Sequence, residues 1–139
     1  MRQTANVGAV LLLALGTFRG SAAGQTFPYD HIHLNVPDPA AAAGWYEKYF
    51  GARRLPEGPN RMMFGSTRFM FLQKADAKPS SGSAIDHIAF SFPDVDAKMK
   101  EFEAAGIKIV TPARAVPGLN KVAFVEDPWG TRILVVQDP

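Results

Sequence analysis

One stretch of this sequence occurs twice, and the duplication constrains the fold more than any other feature. Residues 29–51 align without a gap on residues 85–107, at a constant offset of 56 positions. A repeat has to be recognised before a fold is assigned, because each copy is a structural unit that buries its apolar face against the other. Seven residues are identical in the two copies, and in the first copy they are Asp30, His31, Ile32, Pro37, Asp38, Ala41 and Glu47.

Both copies begin with residues that predict a strand followed by a helix. Residues 30–36 and 86–92 alternate between two faces with a period of two, which indicates a strand. A Pro-Asp pair then ends the strand, and the aspartate (Asp38 or Asp94) is a favourable N-cap for a helix. Gly51 and Gly106 predict where the two helices end.

Three shorter strand candidates follow each helix. They cover residues 52–55, 61–64 and 67–72 in the first copy, and 108–110, 121–125 and 132–136 in the second. The stretch between the copies is rich in Lys, Ala, Ser, Gly and Pro, which is typical of a solvated linker. The sequence therefore predicts an α+β fold of two tandem βαβββ modules, with module one at 29–73, the linker at 74–84 and module two at 85–137.

Composition limits the chain to one ordinary globular domain. It has 139 residues, of which 47% are hydrophobic, and no cysteine. A chain of this size buries about two-thirds of its unfolded surface, so it needs no disulfide or structural metal, and a bound metal ion would serve a function. Half that length supports little core of its own, so the two modules form a single domain over residues 27–137.

The first 23 residues have the order of a secretory signal peptide. Arg2 precedes an apolar run at residues 7–15, and small residues follow at 20–24. We expect cleavage after Ala23 or Gly24 and a periplasmic or secreted protein without stable membrane insertion, the alternative being an uncleaved N-terminal anchor. Removing Arg2 and Arg19 brings the 15 basic residues to 13, which matches the 13 acidic ones. A neutral mature domain gives no reason to expect nucleic acid as a partner.

All three histidines of the chain lie in the duplicated first strands. His31 and His33 are two residues apart and point to the same face of one strand, a spacing that allows both imidazoles to bind one ion. His87 occupies the position in the second copy that His31 has in the first. The three residues therefore form a candidate site for a divalent transition metal (Zn, Fe, Ni or Mn). The alternative is that they are hydrogen-bonded residues of a metal-free pocket.

Several motifs together identify the family that the chain resembles. They are Asp30-His31-Ile32-His33-Leu34-Asn35-Val36-Pro37-Asp38, Trp45-Tyr46 with Phe50-Gly51, Ile85-Asp86-His87-Ile88-Ala89-Phe90, and Asp127-Pro128-Trp129-Gly130. This arrangement is similar to the vicinal oxygen chelate superfamily, which includes glyoxalase I, extradiol dioxygenases and bleomycin-resistance proteins. The resemblance covers residues 29–137 and implies that the curved mixed sheets of the two modules enclose a cleft. It also implies a homodimer.

The resemblance also implies a set of metal ligands, and the chain keeps only part of it. The first-strand ligands correspond to His31 and His87, while the fourth-strand carboxylates correspond to Leu134 and to a position close to Met70. Neither Leu134 nor Met70 can offer oxygen to a cation, so His33 is the candidate replacement. Gln137 and Gln73 lie an odd number of residues from these positions, which puts them on the opposite strand face unless a bulge intervenes.

Two functions follow as alternatives from this incomplete ligand set. The first is an exported, metal-dependent enzyme of lyase, isomerase or dioxygenase type that acts on a small oxygen-chelating substrate. The second is a non-catalytic protein that binds a small ligand in the same cleft, as bleomycin-resistance proteins do. The sequence assigns no general acid or base, and because it lacks a phosphate-binding glycine loop we expect no organic cofactor.

Overall fold

The two predicted modules are present in the computed structural model, which describes residues 28–118 and 120–138. The predicted signal peptide lies outside the described residues. Within these residues no helix has the length and hydrophobicity needed to cross a membrane. Module one contains β1 (His31–Val36), α1 (Pro39–Phe50), β2 (Arg53–Arg54), β3 (Arg61–Phe64) and β4 (Thr67–Gln73), and module two contains β5 (His87–Phe92), α2 (Val95–Ala104), β6 (Lys108–Val116), β7 (Asn120–Glu126) and β8 (Arg132–Gln137).

The helix boundaries follow the local chemistry of the sequence. The Asp38 carboxylate accepts hydrogen bonds from two backbone N–H groups of the first turn of α1, and the Asp94 carboxylate accepts one at the start of α2. Each satisfies amide groups that the helix itself leaves without an acceptor. Gly51 ends α1 with φ = 67°, and Gly106 follows α2 with φ = 71°, a left-handed conformation that suits glycine.

Each module forms one four-stranded mixed sheet with the same topology. The strand orders are β1-β4-β3-β2 and β5-β8-β7-β6, and in both sheets the first pair is parallel while the other two pairs are antiparallel. The predicted tandem βαβββ architecture is therefore confirmed. The strand β6 is longer than predicted because it continues through Pro112 with two register shifts. It lies at the edge of its sheet, where a proline or a bulge disturbs only one ladder.

A single core joins the two modules, and α1 supplies most of the aromatic contact. Phe50 packs on Phe90 and Phe102 of module two, with ring centroids 4.9 Å and 5.3 Å apart. Trp45 meets Trp129 edge to face at 6.3 Å. Burying large aromatic rings is the main source of stabilisation available to such an interface.

One buried hydrogen bond crosses this core. The Tyr46 hydroxyl donates to Asp127 Oδ2 at 2.9 Å, while the backbone N–H groups of Trp129 and Thr131 donate to Asp127 Oδ1. Asp127 is only 3% exposed, and burial raises the pKa of its carboxyl group while these hydrogen bonds lower it. Burial and the nearby carboxylate raise the pKa of Tyr46 well above its ordinary value, so the phenol keeps its proton and remains the donor.

The linker is mostly exposed, and Ser80 makes three of the hydrogen bonds that attach it to module two. The backbone N–H of Ser80 donates to the Gly130 carbonyl at 3.0 Å, and its hydroxyl donates to the Asp86 carbonyl at 2.7 Å. The Arg132 N–H in turn donates to the Ser80 hydroxyl. A Cβ on Gly130 would come within 3.0 Å of Pro79, so the absence of a side chain there allows the linker to approach the turn.

Removing the Tyr46 hydroxyl tests the hydrogen bond that crosses the core. We expect Tyr46→Phe to lower the free energy of unfolding by about 1–3 kcal/mol, because Asp127 Oδ2 loses a donor in a buried site. Tyr49→Phe is the matched control on the same helix, since Tyr49 is half-buried, and its change should stay within about 0.5 kcal/mol. Urea denaturation measures both, and equal losses in the two variants would contradict this role of Tyr46.

Candidate functional site

The histidines lie on the edge strands of the two sheets, on the faces that point away from the helices. His31 and His33 are beside Arg68 and Met70 of β4, and these four residues define the first histidine face. His87 is beside Arg132 of β8. The second histidine face consists of His87, Ala89, Arg132, Leu134 and Phe124, which the strand register places on one side of the second sheet.

Two of the histidines are oriented in the same way by the residue that precedes them. The Nδ1 atom of His31 is 2.5 Å from Asp30 Oδ1, and the Nδ1 atom of His87 is 3.2 Å from Asp86 Oδ2. An ionised carboxylate only accepts hydrogen bonds, so Nδ1 carries the proton and Nε2 presents its lone pair. The hydrogen bond from His31 holds the pKa of Asp30 below its usual value. The pKa of Asp86 is also lowered, mainly by the hydrogen bond from the Gly82 N–H and to a smaller extent by the one from His87.

The positions where the resemblance implies carboxylate ligands are apolar in the folded protein. Met70 is beside His33 on the first histidine face, and Leu134 is beside Ala89 on the second. Gln137 does not replace Leu134, because its side chain accepts a hydrogen bond from the Val95 N–H and donates to the Pro93 carbonyl at the start of α2. The four-ligand arrangement that the resemblance implies is therefore incomplete in this chain.

Two cavities share lining residues from β1 and β5. The first, the linker cavity, has a volume of about 470 Å³ and is lined by residues of β1, β5 and the linker, including His33 and His87. The second, the aromatic cavity, has a volume of about 380 Å³ and is lined by Tyr29, Phe64, Phe69 and Phe90 together with aliphatic residues, Thr67 and His87. The residues that line both cavities are Ile32, Ile85, His87 and Ile88.

The structure brings the three histidines together only in pairs. The rings of His31 and His33 are 4.9 Å apart between centroids, and His33 lines the linker cavity together with His87. His31 instead lines a separate small cavity of about 160 Å³ beside Arg68 and Met70. In residues 28–118 and 120–138, no three His, Cys, Asp or Glu side chains are grouped closely enough to hold a metal ion. The three-histidine metal site stays a prediction.

Arginines surround His31, but carboxylates accompany them. The register places Arg53 and Arg68 in one row with His31, whereas Arg54 points to the helix side and bonds to Glu47. Arg61 and Arg68 line the 160 Å³ cavity together with Asp30 and Glu57. The positive charges of this region are thus partly balanced by nearby negative ones.

Sequence reasoning missed the contribution of the linker to the site. Lys74 and Lys78 line the linker cavity although they belong to a stretch that reads as solvated. No pattern in the sequence distinguishes them from other exposed lysines, because their position follows from the attachment of Ser80 to the turn that ends at Gly130.

Comparison with known proteins assigns the family. The pattern of the Glyoxalase/Bleomycin resistance protein/Dioxygenase superfamily matches residues 29–135. The chain therefore belongs to this superfamily, as its motifs predict. A curated relative, the lactoylglutathione lyase of Pseudomonas aeruginosa, is 41% identical over 51 residues, which are 37% of this chain and 28% of that protein. The match spans little more than a quarter of the relative's length.

Solved structures confirm the fold of the whole domain. A fosfomycin resistance protein, FosX from Listeria monocytogenes, superposes with a TM-score of 0.68 at 16% identity, covering 83% of this chain and 96% of its own. A superfamily member from Sphaerobacter thermophilus gives a TM-score of 0.63 at 16% identity, covering 81% and 98%. At such identities the likeness establishes architecture alone, and function has to be argued from the site.

Proposed function

We propose that this chain binds a small organic molecule between β1 and β5 without requiring a protein-bound metal ion. The observation that supports this is the pair of cavities that share His87 and Ile88, one lined by both polar and apolar residues and one lined by aromatic rings. Ligand sites are commonly concave, mostly apolar and of about 300–1,000 Å³, with a few polar groups that fix orientation. Each cavity lies within this range.

The residues around the histidines favour binding over metal chemistry. Met70 and Leu134 put apolar side chains where a metal centre of this family would need oxygen ligands. Neither side chain lines the two cavities, and neither offers oxygen to a hard cation. The function therefore corresponds to the second of the two alternatives from the sequence, a small-ligand-binding protein of the bleomycin-resistance type.

A neutral fluorescent probe tests this proposal. After chelator treatment, we expect N-phenyl-1-naphthylamine to bind with a saturable rise in fluorescence while metal analysis finds no stoichiometric metal. Ile85→Ala should weaken binding about tenfold, because Ile85 lines both cavities and is 58% exposed, so its loss costs little stability.

The matched control for Ile85→Ala is Leu72→Ala. Leu72 is also an exposed aliphatic residue, at 39%, but it lines neither cavity. Binding by this variant should equal that of the unmodified chain. Binding that appears only after metal is added back, or that is lost equally in both variants, would refute the proposal.

A second candidate function is the metal-dependent enzyme, and the two Asp-His pairs favour it. At equivalent positions of the duplication, a carboxylate orients an imidazole so that Nε2 is free. This is the arrangement by which protein carboxylates support metal-binding histidines. The structure does not group His31, His33 and His87 around one point, so they would have to move closer together to hold the divalent transition metal. Such a metal would polarise an oxygen of the substrate.

Metal titration of histidine variants decides on this second function. If it is right, His87→Ala abolishes Zn²⁺ or Ni²⁺ binding, because it removes one of the two oriented imidazoles, and His33→Ala only weakens it. Isothermal titration of tag-free protein makes the measurement. Equal and negligible effects of both substitutions, or no binding to the unmodified chain, would exclude the metal site.

We also propose that the chain is exported and forms a homodimer. Support for export is the order of residues in the first 23 positions, and support for the dimer is membership of the superfamily. Native mass spectrometry of protein recovered from the periplasmic fraction tests both at once. We expect the mass of two chains that begin after Ala23 or Gly24; a full-length or monomeric mass would contradict the respective part.

A further inference from the structure

The linker cavity contains positive charge and hydrogen-bond donors but no negative charge. Lys74 and Lys78 line it from the linker, and none of its lining residues is an aspartate or a glutamate. The other polar groups on its wall are His33, Asn35, Ser80, Ser83, His87 and Thr131. Such a lining suits an anionic group, because ammonium groups form charge-assisted hydrogen bonds with carboxylate, sulfonate or phosphate oxygens.

We infer that the ligand of this site is a small aromatic anion and that Lys74 and Lys78 recognise its charged group. This inference rests on the proposed function and adds the chemical class of the ligand. The aromatic cavity next to the linker cavity would take the ring system, since Phe64, Phe69 and Phe90 line it. Ile32 and Ile88 border both cavities, so one molecule can occupy the two together.

The folded linker holds both lysines against the cavity. The Lys74 N–H donates to the Val36 carbonyl at 2.8 Å, which attaches the start of the linker to the end of β1. Six residues later, the bonds of Ser80 attach the linker to module two. Lys78 is two residues before this second attachment, so its backbone is restrained on both sides. Restraint of the backbone reduces the entropy that is lost when a side chain binds an anion.

The nearby carboxylates leave this positive charge largely uncompensated. Asp76 Oδ1 is 3.8 Å from Lys74 Nζ, a weak contact between two exposed groups. Asp86 Oδ2 already accepts hydrogen bonds from His87 Nδ1 at 3.2 Å and from Arg132 Nη1 at 3.4 Å. The arginine region around His31 is different, because Asp30 and Glu57 line the same small cavity as Arg61 and Arg68. The linker cavity is therefore the better anion site of the two.

Two probes with the same ring skeleton separate charge recognition from apolar binding. 1-Anilinonaphthalene-8-sulfonate carries an anionic group that N-phenyl-1-naphthylamine lacks. We expect the chain to bind the sulfonate more tightly. The double variant Lys74→Gln/Lys78→Gln should lose about tenfold in affinity for the sulfonate and less than about twofold for the neutral probe.

The double variant Lys48→Gln/Lys100→Gln is the matched control. It removes the same charge from two exposed lysines on α1 and α2 that do not line either cavity. Its affinity for both probes should match that of the unmodified chain, and circular dichroism checks that all variants are folded. An equal loss in the two double variants would show a general effect of net charge and would overturn the inference.

The remaining outcomes distinguish this inference from the proposed function. If both probes bind the unmodified chain with equal affinity, or if the Lys74→Gln/Lys78→Gln variant loses both equally, the site exists but does not select an anion, and only the inference fails. If neither probe binds the unmodified chain, the proposed function fails and the inference with it.

Discussion

The packing of α1 against module two is the constraint on which the rest of the structure depends. The Tyr46 hydroxyl bonds to the buried Asp127, and the rings of Trp45 and Phe50 lie against module two. The aromatic contacts give most of the stabilisation but restrict the relative orientation of the modules little. A hydrogen bond to a buried carboxylate restricts it more, because the bond weakens steeply outside a narrow range of distance and angle. Together they fix how the two modules sit, and so where β1 lies relative to β5.

The candidate site is a consequence of that packing. Neither β1 nor β5 has a hydrogen-bonded neighbour on its outer side within the two sheets, so their side chains line open space between the modules. His33 and His87 come to the same cavity from different modules. The linker then closes one wall, since Ser80 bonds to the turn that ends at Gly130. A binding site thus forms between two similar units that individually offer only the edge of a sheet.

Much of this fold is predictable from the chain because its signals are local. The alternation of residues in β1 and β5, the N-caps Asp38 and Asp94 and the ends at Gly51 and Gly106 each depend on a few neighbouring residues. Predictions that depend on strand partners were less complete. The length of β6 was underestimated, because an edge strand continues through Pro112 by shifting its register against β7, and no local signal shows that partner.

The sequence by itself determined the duplication, the family, the order of elements and the apolar residues at Met70 and Leu134, because these follow from residue identity and spacing along the chain. Only the tertiary structure decided that His33 shares a cavity with His87 while His31 lies in another, and that Lys74 and Lys78 face the first of these. The physical reason is that such placements depend on how two modules and a linker pack through contacts distant in sequence. Tyr46 and Asp127, separated by 81 positions, show how far apart those contacts are.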